Sequence, residues 1–368
     1  MTGSHDKGLD YLKGLAAFTV LSGHTLDNYV FQSENCGKRI IDVLNLPIIW
    51  NLFSAGGVAV CIFCLISGWY AVKSFEDKWQ IVIQIIYRYL DFWSLCLVCN
   101  IVMLIVQKAG LFEYNMQFSK VIQRSTALST FSDLTFTNAV ISAFKLQSTN
   151  GALWMLLYLF FGNVFMYLLS YLVARFNYSW CGKAFLIWSI ILLVAVYKYC
   201  NVIVFFTIFG GISNLYSRYF KGERVRNRLK NMSAIVLVLA LVLAQRTLDF
   251  RNRYLWQTLS CELIAISFSI LFKKRRNQFL EFLSANSLSF YAVHIPIIYS
   301  VGTLVFLRYN VIFTSGDMAR IVTYMVIVLM IMVIGYGYNI IVETPRRKLA
   351  RLIRKKMIIG MKKIQEER

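Results

Sequence analysis

Apolar runs long enough to cross about 30 Å of hydrocarbon recur along the whole chain, separated by short segments in which Lys and Arg collect. They lie at 9–30, 50–72, 81–106, 149–172, 184–198, 200–217, 232–248, 253–272, 286–307 and 320–343. The pattern predicts an all-α fold, a polytopic membrane bundle of about ten transmembrane helices. The narrowest connection is between the fifth and sixth runs, where Tyr197, Lys198, Tyr199, Cys200 and Asn201 offer only a tight turn. The polar leader at 1–8, MTGSHDKG, includes His5, and no small-residue cleavage pattern follows it, so Leu9 onward reads as a permanent span.

The basic residues orient the bundle. With the N-terminus in the cytoplasm, inner loops collect Lys73, Lys78, Arg88, Arg175 and Lys183, then Arg218–Lys230 and Lys273–Arg276, and the tail at 346–368 adds Arg346, Arg347, Lys348 and Arg351. Outer loops are mixed in sign, with Glu34 and Asp42 offsetting Lys38 and Arg39. The positive-inside rule therefore predicts an N-in/C-in topology.

Composition agrees: 58% of the 368 residues are hydrophobic, mean hydropathy is +0.58, and only 15% are charged although the net charge is +21. A soluble core of this size needs far fewer apolar residues, so the chain reads as a multi-pass protein of the plasma or inner membrane. Its basic residues fall in separate short loops rather than on one soluble face, which argues against nucleic acid and for contact with anionic lipid headgroups. Cys61, Cys64, Cys96 and Cys99 form two C-x-x-C pairs inside apolar runs, where cysteine behaves as a small hydrophobe, so no metal site is expected. The 107–148 segment, rich in Ser, Thr and aromatic residues, is the one long outer element. A loop of this length is functional or disordered; its aromatic content favours the former, and it is expected to fold over the outer mouth, as short helices. No repeat, heptad or proline-rich linker divides the chain, which reads as one membrane domain over 1–368.

The first run, LDYLKGLAAFTVLSGHTLDNY, carries Lys13 and His24. On a helix, eleven residues at about 100° each leave the two about 20° apart around the axis and about 16 Å apart along it. A cation and an imidazole on one stripe of a membrane helix point to an interior path or to chemistry, and a common cavity joining them is the expectation. Asp27, three residues beyond His24, is placed to hydrogen-bond the ring, and a carboxylate-oriented histidine serves as a general base for a hydroxyl. The structural alternative is a histidine that bridges helices. Asp91, Glu262, His294 and Glu343 are the other polar groups at membrane depth.

These residues carry a resemblance. LDYLKGLAAFTVLSGH resembles the first-helix signature of the acyltransferase-3 family of integral membrane acyltransferases, and SAGGVAVCIFCLISGWYAVKS at 54–74 is similar to the family's glycine-rich second helix. LSFYAVHIPII at 288–298 is similar to its late histidine-proline segment, VETPRRKL at 342–349 to its closing Glu-x-Pro-Arg, and GALWMLLYLFFGNVFMYLL at 151–169 to its tryptophan-bearing middle helix.

The resemblance implies an O-acyltransferase that moves an acyl group, commonly acetyl, from cytoplasmic acyl-CoA to a hydroxyl of a cell-surface or lipid-linked glycan. Acyl-CoA would be a co-substrate and no cofactor is bound. Carried over by position, His24 is the catalytic base with Asp27 beside it, and Lys13 and Arg88 are donor-binding. Ser67, Trp154, Glu262, His294 and Glu343 remain as candidates along the acyl path or at the acceptor. Of these, Glu262 matches no family motif, Trp154 reads first as a packing residue that aromatic stacking on sugars keeps as a candidate, and Glu343 before Thr344 and Pro345 reads first as a structural ion-pair partner of the basic tail. Ser22, Ser67 and His24 are conceivable acyl carriers. The chain departs from the family where Lys13 replaces the usual arginine, losing the bidentate fork, and where IYRYLDFWSL at 86–95 keeps only Arg88 of a cluster. The competing class is a transporter or exporter of a glycan or lipid-linked intermediate, for which related halves with broken helices would be expected. No such pairing is visible in the sequence.

Overall fold

The computed structural model describes residues 6–30, 46–75, 77–121, 134–175, 201–219, 223–246, 253–273, 275–313 and 316–366, and every regular element among them is helical. In order they are α1 (Lys7–Tyr29), α2 (Pro47–Phe53), α3 (Gly56–Ala71), α4 (Lys78–Lys108), α5 (Glu113–Val121), α6 (Phe136–Phe144) and a 3₁₀ turn at Gly151–Leu153. There follow α7 (Leu156–Arg175), α8 (Val202–Tyr219), α9 (Glu223–Arg246), α10 (Arg253–Phe272), α11 (Gln278–Ile298), α12 (Val301–Ile312), α13 (Gly316–Tyr338), a π turn at Asn339–Glu343 and α14 (Thr344–Glu366). The expected span at 184–198 lies outside the described residues.

Among the described residues, three helical stretches are long and apolar enough to cross a membrane, Lys78–Lys108, Gly151–Arg175 and Met318–Met361, and α11 with α12 makes a fourth if the bent pair is one span. Helix α1 is different in kind. Sixteen of its 23 residues are buried because α2, α3, α10, α11 and α13 enclose it. A helix surrounded by protein needs no lipid-compatible perimeter, and that is why this segment tolerates Lys7, Asp10, Lys13 and Asp27. Its start is fixed by Asp6, whose Oδ1 accepts from the Gly8 and Leu9 amides at 2.9 and 3.2 Å and satisfies two donors that every helix N-terminus leaves open. At Gly14 a Cβ would lie 2.4 Å from the backbone nitrogen of Ser284. Only glycine lets α11 come this close, and the small residue sets the crossing that brings the site together.

Two expected spans are broken. The 50–72 run divides at Ser54 and Ala55 into α2 and α3. The carbonyls at the end of α2 need donors inside the protein, and Thr19 Oγ1 on α1 supplies one, lying 2.9 Å from the Leu52 oxygen and 3.2 Å from that of Asn51. The 286–307 run bends by 52° between α11 and α12. Pro296 has no N–H for the carbonyl four residues back, and that carbonyl, of Ala292, accepts from Asn150 Nδ2 at 2.6 Å instead. The 107–148 segment begins later than expected because α4 continues to Lys108. It contains α5 and α6, with α6 packed on α4 and α5 on α12.

Candidate active site

Among the described residues, α1 lines two cavities that hold charged or titratable side chains. Toward its C-terminal end a cavity of about 870 Å³ is lined by His24, Asp27, Ser148, Thr149, Trp154, Gln257 and Tyr299, with Gly56, Gly57 and Gly151 opening its wall. Toward its N-terminal end a second cavity of about 360 Å³ is lined by Lys13, Lys73, Arg88 and Arg347 together with Ser67, Tyr70, Tyr87 and Asp91. Tyr291 on α11 lines both. The expected single cavity joining Lys13 to His24 is therefore two, because an aromatic side chain from the neighbouring helix stands between them.

The walls of the His24 cavity are built by two asparagines. Asn100 on α4 donates to the Ala139 oxygen at 2.9 Å, while its Oδ1 accepts from Ser148 Oγ and the Thr149 amide, both at 2.9 Å. Asn150, wholly buried, accepts from the Ala152 amide and donates to Ala292. One side chain thus caps the 3₁₀ turn before Trp154 and fills the gap left by Pro296. Trp154, about half exposed, presents its indole to the cavity. That suits stacking on a sugar ring.

His24 is exposed to this cavity, and so is Asp27. Among the described residues no hydrogen bond joins them, which corrects the expected carboxylate–imidazole pair. The ring of His24 instead stacks on that of His294, with 5.4 Å between centroids and 21° between planes, because α11 crosses α1 at this level. His294 is wholly buried, and its Nδ1 lies 3.0 Å from the Tyr291 oxygen. Since a carbonyl only accepts, Nδ1 carries the proton, and Nε2 has no partner among the described residues.

In the Lys13 cavity, Arg88 donates to Ser67 Oγ at 3.3 Å, lies 3.6 Å from Asp91 and covers the Phe92 ring at 4.2 Å. Ser67 in turn donates to Asn163. Lys73, in the connection after α3, stands over the Tyr167 ring at 5.7 Å. Burial pushes its ammonium down to about 8, with Arg354 and Arg88 adding repulsion. Arg347 is held by Glu343, whose Oε1 lies 2.5 Å from Arg347 Nε. Glu343 is wholly buried and also takes both Nε and Nη2 of Arg346, at 2.8 and 2.7 Å. Arg346 reaches on to Asp91 and Ser94 of α4 at 2.7 and 2.9 Å. The π turn sets this up: the Thr344 amide bonds back to Asn339, and Pro345 has no amide to continue an ordinary ladder. The result is four cations facing a confined space with one partly neutralised carboxylate, the electrostatics of a polyanion site.

The structure thus gathers His24, Asp27 and Trp154 at one cavity and Lys13, Arg88 and Ser67 at the other. His294 stands behind His24, and Glu343 behind Arg347. Glu262 is apart from both: it pairs with Ser213 and keeps Oε2 buried without a partner among the described residues. Ser22 is bonded to Tyr324 at 2.7 Å, away from either cavity. Tyr291, Asn100, Asn150 and Arg347 are site residues that the sequence reading does not single out.

Neither the curated proteins nor the solved structures compared with this chain gave a match. A family model described as an acyltransferase domain matches residues 6–339, a stretch that contains α1 with both His24 and Lys13, both walls of the His24 cavity and the Tyr291 partition. By that match over most of its length, the chain belongs to the acyltransferase-3 family of membrane acyltransferases.

Proposed function

We propose that this protein is a membrane O-acyltransferase that takes an acyl group, acetyl in the simplest case, from acyl-CoA in the Lys13 cavity and passes it to a glycan hydroxyl in the His24 cavity. The observation that carries the reading is that a cation-lined pocket and a histidine-bearing pocket adjoin across one side chain. Lys13, Lys73, Arg88 and Arg347 hold the donor's phosphates. The apolar end of the same pocket, with Phe63, Leu153, Leu156 and Tyr291, receives the acyl arm. His24 takes the proton of the acceptor hydroxyl as its oxygen attacks the thioester carbonyl. The carbon–sulfur bond breaks, and the proton goes to the departing thiolate. In this reading the bundle has about ten spans with both termini in the cytoplasm, so donor and acceptor reach the site from opposite faces of the cell membrane.

The test is to express the wild type and His24→Ala and to measure both O-acyl groups and total glycan at the cell surface. Loss of acyl groups with glycan unchanged supports transfer. Acylation that persists in the variant overturns it, and loss of the glycan itself returns the exporter reading.

A further inference from the structure

The wall between the two cavities is one side chain thick at Tyr291. This tyrosine is almost wholly buried, yet among the described residues its hydroxyl has as its partner only the thioether of Met155, at 3.9 Å, a weak acceptor. Its ring meets Phe63 edge-on at 5.6 Å on the side of the Lys13 cavity, and His294, which backs His24, at 5.4 Å on the other. A buried tyrosine normally finds a strong partner for its hydroxyl; here the ring is held by edge contacts, with empty volume on both sides. The backbone beneath it is the opposite. The next carbonyl, of Ala292, is tied to Asn150, and its own carbonyl receives His294 Nδ1. The helix backbone is fixed by these bonds, while the side chain is held by ring contacts and one weak hydrogen bond.

We propose that the Tyr291 side chain is the gate of the acyl path: closed, it separates the two cavities, and turned about its own torsions it opens them to each other while α11 stays in place. This inference rests on the proposed transfer for its purpose and on geometry alone for its existence. In a transferase such a gate keeps acceptor-side water away from the donor thioester until the acceptor hydroxyl is in place.

The test reads connectivity before chemistry. Ser67→Cys places a thiol in the Lys13 cavity and Ser148→Cys one in the His24 cavity. A membrane-impermeant maleimide is applied to right-side-out and to inverted vesicles carrying the full chain, and labelling at each position is followed by peptide mapping. With Tyr291 in place, the two thiols react from opposite sides. Adding Tyr291→Ala is expected to make the thiol of the Ser67→Cys variant react at least about tenfold faster from the side that reaches the thiol of Ser148→Cys. Tyr291→Phe is expected to keep the separation, since the hydroxyl bond contributes little. Tyr291→Leu, whose volume is better tolerated in a core, repeats the measurement if the alanine variant is not monodisperse. A donor-cavity thiol that reacts equally from both sides with Tyr291 intact, or that stays closed in both small-residue variants, overturns the gate. Acyl-CoA hydrolysis without acceptor is measured in parallel and should rise with the open variants. An open path with no acyl chemistry in any variant would refute the transferase reading and leave the gate standing.

Discussion

The rings of His24 and His294 lie nearly parallel with 5.4 Å between their centroids, and the hydrogen bond from His294 Nδ1 to the Tyr291 carbonyl fixes the inner ring of the pair. An imidazole supported this way is oriented by a flat surface rather than by a carboxylate. His294→Phe should therefore retain much of the activity, within about tenfold of wild type, while His294→Ala should lower kcat more than the acceptor KM. Loss of His24 itself should remove the roughly 10²–10⁴-fold that a positioned general base contributes. Steady-state transfer to a soluble glycan acceptor measures all three.

Arg88→Ala and Lys13→Ala should each raise the donor KM. A hydrogen bond to a charged group contributes about 1.5–3 kcal/mol, so the expected rise is roughly 10- to 150-fold, with kcat less affected. Binding of a donor analogue by calorimetry gives the same comparison without turnover.

Glu343→Ala should act on the fold. It strips a wholly buried carboxylate from two guanidiniums, one of them in the interior, and breaking such a network costs about 3–5 kcal/mol. Thermal unfolding in detergent should show a large fall in midpoint, whereas Arg347→Ala, which removes only the cavity-facing partner, should leave the midpoint closer to wild type and raise the donor KM.

Lys73 should give the proposed donor site a pH dependence. Its ammonium is pushed down to about 8, and a bound anion favours the charged form. Below pH 8 the free protein already carries that charge and affinity is at its plateau. Above it, binding must recruit a proton, and affinity should fall by up to about tenfold per pH unit until the ordinary lysine range is reached. Lys73→Gln should be weaker throughout and flat across this window.

Asn150→Ala should separate positioning from packing. It leaves the Ala292 carbonyl without a donor and uncaps the turn before Trp154, at about 1–3 kcal/mol for a buried unsatisfied group. The acceptor KM should rise more than the donor KM, and Asn150→Asp, which keeps the cap but cannot donate, should recover only part of the loss.

What can be read from the chain is local. The eleven-residue spacing of Lys13 and His24 is helical arithmetic, and both residues do line cavities on the side of α1 that meets α11. The apolar runs mark most of the long helices for the same reason. What cannot be read is which distant side chain enters a local gap. The i+3 spacing suggests that Asp27 holds His24, but a ring from α11 takes that place. Pro296 announces an orphan carbonyl at Ala292, yet nothing near it in sequence names Asn150 as the donor. Tyr291 sits in the same LSFYAVHIPII segment that carries His294, and only the crossing of α1 and α11 turns it into a wall. Arg347 is visible in VETPRRKL but counts there with the basic tail, since only the π turn and Glu343 aim it at the cavity.

The central helix also acts as a calliper. Because Lys13 and His24 ride on one uninterrupted rod, their separation of about 16 Å along the axis cannot be changed by any hinge elsewhere in the bundle. A donor anchored by its anionic end at Lys13 must carry its reactive carbonyl on an arm of matching reach, and a small acyl phosphate, with charge and carbonyl side by side, would satisfy one jaw or the other but never both.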